Sequence, residues 1–168
     1  MVTATPTAET RVWEALRGIA DPEIPAISVV DLGVIGAVEV SAERIHVDLL
    51  PTFVGCPAIG VMRQQIGERL GALGIAERIE VEVSYDPPWT SDRISEAGRE
   101  RLRASGFAPP VAAPSVSGLD ELMVLSVAEC PYCGSRNTTL DNAFGPTLCR
   151  SIHHCADCNQ PFEQFKTL

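Results

Sequence analysis

The chain has 168 residues, 45% of them apolar, and a formal charge of -9. That length holds one ordinary domain plus a small one, and the apolar share supports a packed core rather than disorder. The acidic balance disfavours nucleic acid and an anionic membrane surface as partners, because both need a basic face.

The opening MVTATPTAET has neither the basic n-region nor the apolar h-region of a signal peptide. No window approaches the roughly 18 consecutive apolar residues of a spanning helix. A cytoplasmic protein is expected. In that compartment the six cysteines point to metal ligation or thiol chemistry rather than disulfides.

Residues 1–8 read as a small polar tail. Val12, Trp13, Leu16, Ile19 and Ala20 then recur at helical spacing, and Asp21-Pro22-Glu23-Ile24-Pro25 stops that helix. A strand is predicted over about Val34–Val40. A second follows the alternation Ile45, Val47, Leu49, with His46 and Asp48 on its other face and a hairpin turn over Ser41–Arg44. Pro51 to Pro57 is a loop. Ile59, Met62, Ile66, Leu70 and Leu73 form the stripe of a helix over 58–73, and Ile79, Val81 and Val83 give a third strand. The order helix, strand, strand, helix, strand predicts a two-layer α+β domain. After Pro87-Pro88-Trp89, Thr90 or Ser91 is expected to cap an extra helix that ends near Ser105–Gly106. The domain then spans 1–107, a Pro/Ala/Ser-rich linker 108–121, and a cysteine module 122–168.

Cys130-Pro131-Tyr132-Cys133 and Cys155-Ala156-Asp157-Cys158 are two C-x-x-C pairs separated by twenty-one residues. Two residues between thiols let one tight turn aim both sulfurs at one ion, and two such turns give the S4 shell that zinc accepts. A unit of about 45 residues has too little core to fold alone, so the metal would supply much of its stability. A zinc ribbon with a structural ion is the expected reading. An iron–sulfur cluster on the same thiolates is its rival. Cys149 reads as a small buried residue on a ribbon strand, the alternative being a redox-sensitive thiol or fifth ligand. His153 and His154 point to opposite faces of that strand, so they cannot both join one site.

Cys56 lies before Pro57, a natural first helical residue, which predicts Cys56 as the N-cap of the second helix. Free N–H groups there favour a thiolate. Gly55 lets the chain turn tightly, and Thr52 can place a hydroxyl beside the sulfur. Inert packing is the competing reading of Cys56. Asp21 and Glu23 terminate the first helix, and Asp31-Leu32-Gly33 is a second acidic turn. Should both loops converge on Cys56, their carboxylates would orient a metal or the thiol. Trp89 reads as a packing anchor.

Asp21-Pro22-Glu23-Ile24-Pro25, Val30-Asp31-Leu32-Gly33, Pro51-Thr52-x-x-Gly55-Cys56-Pro57 and Pro88-Trp89-Thr90 resemble the MIP18 (DUF59) family of iron–sulfur assembly factors. With the C-terminal CPYCG, FGPTLCR and CADCNQPFEQFK, residues 10–168 are similar to the PaaD (PaaJ) family, a component of the bacterial phenylacetyl-CoA 1,2-epoxidase system. The resemblance implies a part in aerobic phenylacetate degradation, assisting assembly of the iron–sulfur or iron centre of a multicomponent oxygenase. Its partners would be that oxygenase or its reductase. It implies Cys56 as the functional thiol and transient iron or iron–sulfur ligand, with Asp21, Glu23, Asp31 and Thr52 lining its pocket. Val54 stands where the family carries a hydroxyl residue, which leaves one fewer hydrogen bond for a Cys56 thiolate.

One thiol cannot hold a cluster, so the maturation reading needs a homodimer, a partner's ligands or the tail cysteines. A docking component and an electron-transfer component with iron in the ribbon are the alternatives. The sequence carries no phosphate-binding glycine loop, no G-x-S-x-G elbow and no H-E-x-x-H helix, which argues against a stand-alone enzyme.

Overall fold

Thr7 caps the first helix, its hydroxyl accepting from Thr10 N–H at 3.1 Å, and α1 (Ala8–Arg17) buries Val12, Ala15 and Leu16. The structure is a computed structural model that describes residues 6–111 and 127–167. Most of the expected tail and the expected linker from residue 112 onward lie outside the described residues. Two compact units result, Met1–Trp89 and Thr90–Leu168.

In the first unit Ile19 is buried while Trp13 is half-exposed and Ala20 exposed, so the apolar face of α1 is narrower than the sequence stripe. The segment after α1 folds back on itself through an Ala20–Ser28 bridge, with Asp21 N–H donating to Ile27 C=O at 2.9 Å. Strands β1 (Ile35–Val40) and β2 (Arg44–Leu49) pair antiparallel, closed by Ser41 N–H to Arg44 C=O at 2.9 Å. The predicted alternation holds on β2: Ile45, Val47 and Leu49 are buried, and His46 and Asp48 are half-buried. Helix α2 (Ile59–Gly71) buries Met62, Ile66 and Leu70. It crosses over to β3 (Arg78–Val83), which pairs parallel with β2 and completes a sheet of order β1-β2-β3. Parallel neighbours need such a crossover, and α2 provides it.

In the second unit a single 3-10 turn, Ser91–Arg93, precedes α3 (Glu96–Ala104). The cap is Ser95, whose hydroxyl accepts from Gly98 N–H at 3.0 Å, and not Thr90 or Ser91. The 3-10 turn spends the residues between the expected cap and the observed one. Gly106, at φ +83, ends the helix as expected. Strands β4 (Phe107–Ala108), β5 (Thr138–Asn142), β6 (Arg150–Cys155) and β7 (Pro161–Phe165) form a sheet of order β4-β7-β6-β5.

This places α3 and β4 with the cysteine module, whereas the sequence reading ends the first domain at residue 107 and begins a linker at 108. The physical reason is strand pairing: Phe107 and Ala108 lie beside Glu163 and Gln164 of β7, and the Arg150 guanidinium sits 5.7 Å from the Phe107 ring centroid. Around the cysteine turns the buried cluster is Ala108, Ala128, Cys130, Cys155 and Phe162, with Cys158 packed against it; Ile94, Leu102, Cys149 and Phe165 are buried elsewhere in the unit.

Candidate metal centre and the Cys56 loop

The two C-x-x-C segments fold into equivalent turns. In the first, Cys130 N–H donates to Ser135 C=O at 2.9 Å; in the second, Cys155 N–H donates to Gln160 C=O at 3.0 Å. The residue after the second cysteine takes the left-handed conformation each time, Gly134 at φ +73 and Asn159 at φ +58. Gly and Asn are the residues that tolerate that region, so the sequence is suited to both turns. The first turn precedes β5, and the second joins β6 to β7.

These turns bring four sulfurs together. Cys130 Sγ is 3.7 Å from Cys158 Sγ, Cys133 Sγ is 3.6 Å from Cys155 Sγ, and all four lie within 4.8 Å of one another. Sulfurs about 2.3 Å from a tetrahedral ion stand about 3.8 Å apart. The cage therefore fits one ion. A multi-iron cluster interposes irons and sulfides between its thiolates and needs a wider one. The four-cysteine set is a metal site. Cys130 and Cys155 are buried, Cys158 is half-buried and Cys133 is exposed. The Cys158 N–H lowers the Cys155 thiol to about 7 against the opposing effect of burial, helped by the Asp157 N–H. Burial and the neighbouring thiols push Cys158 up to about 12. A metal ion would displace the protons these thiols retain.

Cys149 is buried, as expected, but stands in the turn before β6 rather than on a strand, its sulfur 3.1 Å from Thr147 Oγ1. His153 and His154 alternate buried and half-buried along β6, and neither belongs to the four-sulfur set. His153 is the buried one of the pair. Its Nε2 lies 3.0 Å from Ser151 Oγ, its ring stacks on Phe162, and desolvation lowers its pKa. The Ser151-x-His153 spacing on one strand face is the available signal.

Cys56 is half-buried in the loop between β2 and α2, with Thr52 in the same loop. It does not cap α2. Ala58 occupies the capping position with no side-chain bond, and Cys56 instead closes a turn through its carbonyl, which accepts from Ile59 N–H at 3.4 Å. Pro57 and Ala58 form that turn before regular helix begins, so the helix start lies past the position that Pro57 suggests. Gly55 has φ +86, the tight turn expected of it. Asp21 is buried and its Oδ1 accepts from Glu23 N–H at 2.9 Å and Ile24 N–H at 2.8 Å. Asp31 Oδ2 accepts from Ser28 Oγ at 2.9 Å. Both aspartates thus hold the shape of the 21–33 segment. Trp89 is 6% exposed, which fits the expected packing anchor.

Residues 9–83 match the iron–sulfur cluster assembly protein family and residues 118–166 the PaaD zinc beta ribbon domain. A protein of Escherichia coli (strain K12) whose name makes it a component of 1,2-phenylacetyl-CoA epoxidase is 33% identical over 100% of this chain and 98% of its own length. The Fe-S protein maturation auxiliary factor YitW of Bacillus subtilis (strain 168) is 29% identical over 52% of this chain and 86% of its own. The crystal structure of a domain of unknown function, DUF59, from Bacillus anthracis superposes with a TM-score of 0.53 and 26% identity, over 56% of this chain and 91% of that one. The motif resemblance and the α+β-plus-ribbon fold are thereby borne out. Among the described residues no helix is long and apolar enough to cross a membrane.

Proposed function

We propose that this chain, which belongs to the PaaD family of phenylacetyl-CoA epoxidase components, is a cytoplasmic accessory protein that assists assembly of the iron–sulfur or iron centre of that multicomponent oxygenase in aerobic phenylacetate degradation. The carrying observation is the union in one chain of an iron–sulfur assembly unit at 9–83 and a PaaD ribbon at 118–166. The first part supplies the chemistry and the second directs it to one client, the oxygenase or its reductase. Cys56 is the working thiol and transient ligand of iron or a cluster, which are cargo rather than resident cofactors. Thr52 shares its loop, and Asp21, Glu23 and Asp31 complete the pocket. Cargo on one thiol needs further ligands, which a homodimer, the client or both would provide. The ribbon ion is a structural zinc held by Cys130, Cys133, Cys155 and Cys158.

The test is to purify oxygenase and reductase from cells with and without this chain and to measure iron per complex together with the cluster absorption. Assembly work predicts under-loaded proteins in its absence, and turnover restored by chemical reconstitution. Fully loaded proteins in its absence would overturn the assembly role. Zinc in equimolar amount in a colourless preparation of the chain itself is the expected result for the ribbon, and bound iron there would overturn the structural-zinc assignment.

A further inference from the structure

The two cysteine turns are alike in their backbone but not in the residue before the second cysteine, which is Tyr132 in the first and Asp157 in the second. Tyr132 is exposed. Asp157 reaches across to the other turn. Its Oδ2 accepts from Ser135 Oγ at 2.5 Å, and its Oδ1 accepts from Asn137 Nδ2 at 2.7 Å. Ser135 Oγ in turn accepts from Asn137 N–H at 3.0 Å, and Ala156 N–H donates to Asn137 C=O at 2.9 Å. Each carboxylate oxygen is therefore bonded to a residue that follows the first pair of ligands, while Asp157 lies between the second pair.

An S4 centre needs more than two well-formed turns. Each turn is closed by its own backbone bonds, so each can present two sulfurs by itself. Their mutual placement is a separate requirement, met by the pairing of Thr138 with Cys155 in the sheet, by the Ala156 N–H to Asn137 C=O bond and by the Asp157 bridge. An ion leaves such a centre when one turn swings away from the other and two sulfurs are lost together. A carboxylate that grips both turns opposes that motion. The bridge is made by exposed or half-exposed side chains, none of which belongs to the cluster of Ala108, Ala128, Cys130, Cys155 and Phe162. Its loss should therefore loosen the metal without dismantling the fold.

We infer that Asp157 is a positioning residue of the metal centre, which clamps the Cys155–Cys158 turn onto the Cys130–Cys133 turn through Ser135 and Asn137. The inference rests on the metal reading of the four cysteines. Residues that orient metal ligands are typically worth about 10- to 100-fold in metal affinity, and an exposed bridge belongs at the lower end.

The experiment uses the full chain loaded with zinc. Zinc release into excess chromogenic chelator is timed for the wild type and for Asp157→Ala, Ser135→Ala, Asp157→Asn and the double Asp157→Ala, Ser135→Ala variant. Amide spectra of the loaded proteins check the sheet. The clamp predicts release about tenfold faster in Asp157→Ala, at the low end of that range. It predicts a smaller effect in Ser135→Ala, an intermediate one in Asp157→Asn, which keeps one acceptor oxygen, and a double variant no faster than Asp157→Ala, because both changes remove one interaction. Rates within twofold of wild type in Asp157→Ala, or additive effects in the double variant, overturn the inference. Should Asp157→Ala fail to fold, the Ser135→Ala and Asp157→Asn rates decide by the same twofold criterion. A wild-type chain that holds no metal would instead defeat the metal reading beneath it.

Discussion

The indole Nε1 of Trp89 donates to the backbone carbonyl of Leu32 at 3.1 Å, joining residues 57 apart in sequence. Leu32 lies in the Asp31-Leu32-Gly33 turn, so this bond ties the end of the first unit to the segment that carries Asp21 and Asp31. Trp89→Phe keeps an aromatic ring and leaves a buried carbonyl without this donor, which costs about 1–3 kcal/mol. Trp13 lies on the same unit and remains as the reporter. Denaturant unfolding followed by Trp13 fluorescence should show a lower midpoint in the variant. An unchanged midpoint would mean that the bond adds nothing to the fold.

Much of the first unit was legible because its signals are local and periodic. The β2 alternation at Ile45, Val47 and Leu49 and the α2 stripe at Met62, Ile66 and Leu70 are buried as read. The four ligands were legible from spacing alone, since C-x-x-C dictates a turn whatever surrounds it. What failed were positions decided by geometry between elements. Cys56 looks like a cap because Pro57 suits the first turn of a helix, yet the chain makes one further turn before α2. Phe107 and Ala108 look like the edge of a linker because their pairing partners, Glu163 and Gln164, are far along the chain. Asp157 carries no signal of its own, because an acidic residue between cysteines is ordinarily solvated.

Gly55→Ala tests whether the loop shape matters. Among the described residues, chain neighbours aside, no heavy atom lies within 4 Å of where a Cβ at Gly55 would stand, so there is room for the methyl group. The cost is in the backbone, where φ +86 is unfavourable for an L side chain by roughly 1–2 kcal/mol. Thermal unfolding of the first unit should shift down, and the alkylation rate of Cys56 should change with it as the loop relaxes. A variant with wild-type stability and labelling would show that this turn adapts freely.

Cys133→Ser removes the exposed ligand of the metal centre. Three thiolates remain, and the ion should fall below stoichiometric occupancy on metal analysis. Because the core around Cys130 and Cys155 is small, amide protection of β5 to β7 should fall sharply, while that of β1 to β3 stays near wild type. Undiminished protection of the ribbon after chelation of the wild type would show that it folds without metal.

Thiol labelling distinguishes the two cysteines outside the metal centre. Cys56 is half-buried, whereas Cys149 is 4% exposed with Thr147 Oγ1 against its sulfur. In the zinc-loaded chain the ligand thiols are protected, so site-resolved mass spectrometry with an alkylating reagent should find Cys56 modified first. Faster modification of Cys149 would remove the accessibility on which a working role for Cys56 depends.

The decisive substitution is Cys56→Ser. The turn that Cys56 closes uses its backbone carbonyl, which a serine provides equally, and the two side chains are close in volume. The variant should therefore fold, hold its zinc and remain soluble. A hydroxyl does not replace the thiolate that iron and iron–sulfur centres take as a soft ligand. Cells carrying the variant should then yield oxygenase and reductase deficient in iron or cluster, with low phenylacetyl-CoA turnover that pre-reconstituted proteins restore. Normal metal content with normal turnover would make Cys56 dispensable and favour a docking role exercised through the ribbon. Full metal content with low turnover would place the thiol in the working complex rather than in its assembly. Because the fold of the variant is checked separately by its zinc content and amide spectrum, a loss of loading can be assigned to the missing sulfur rather than to a missing protein.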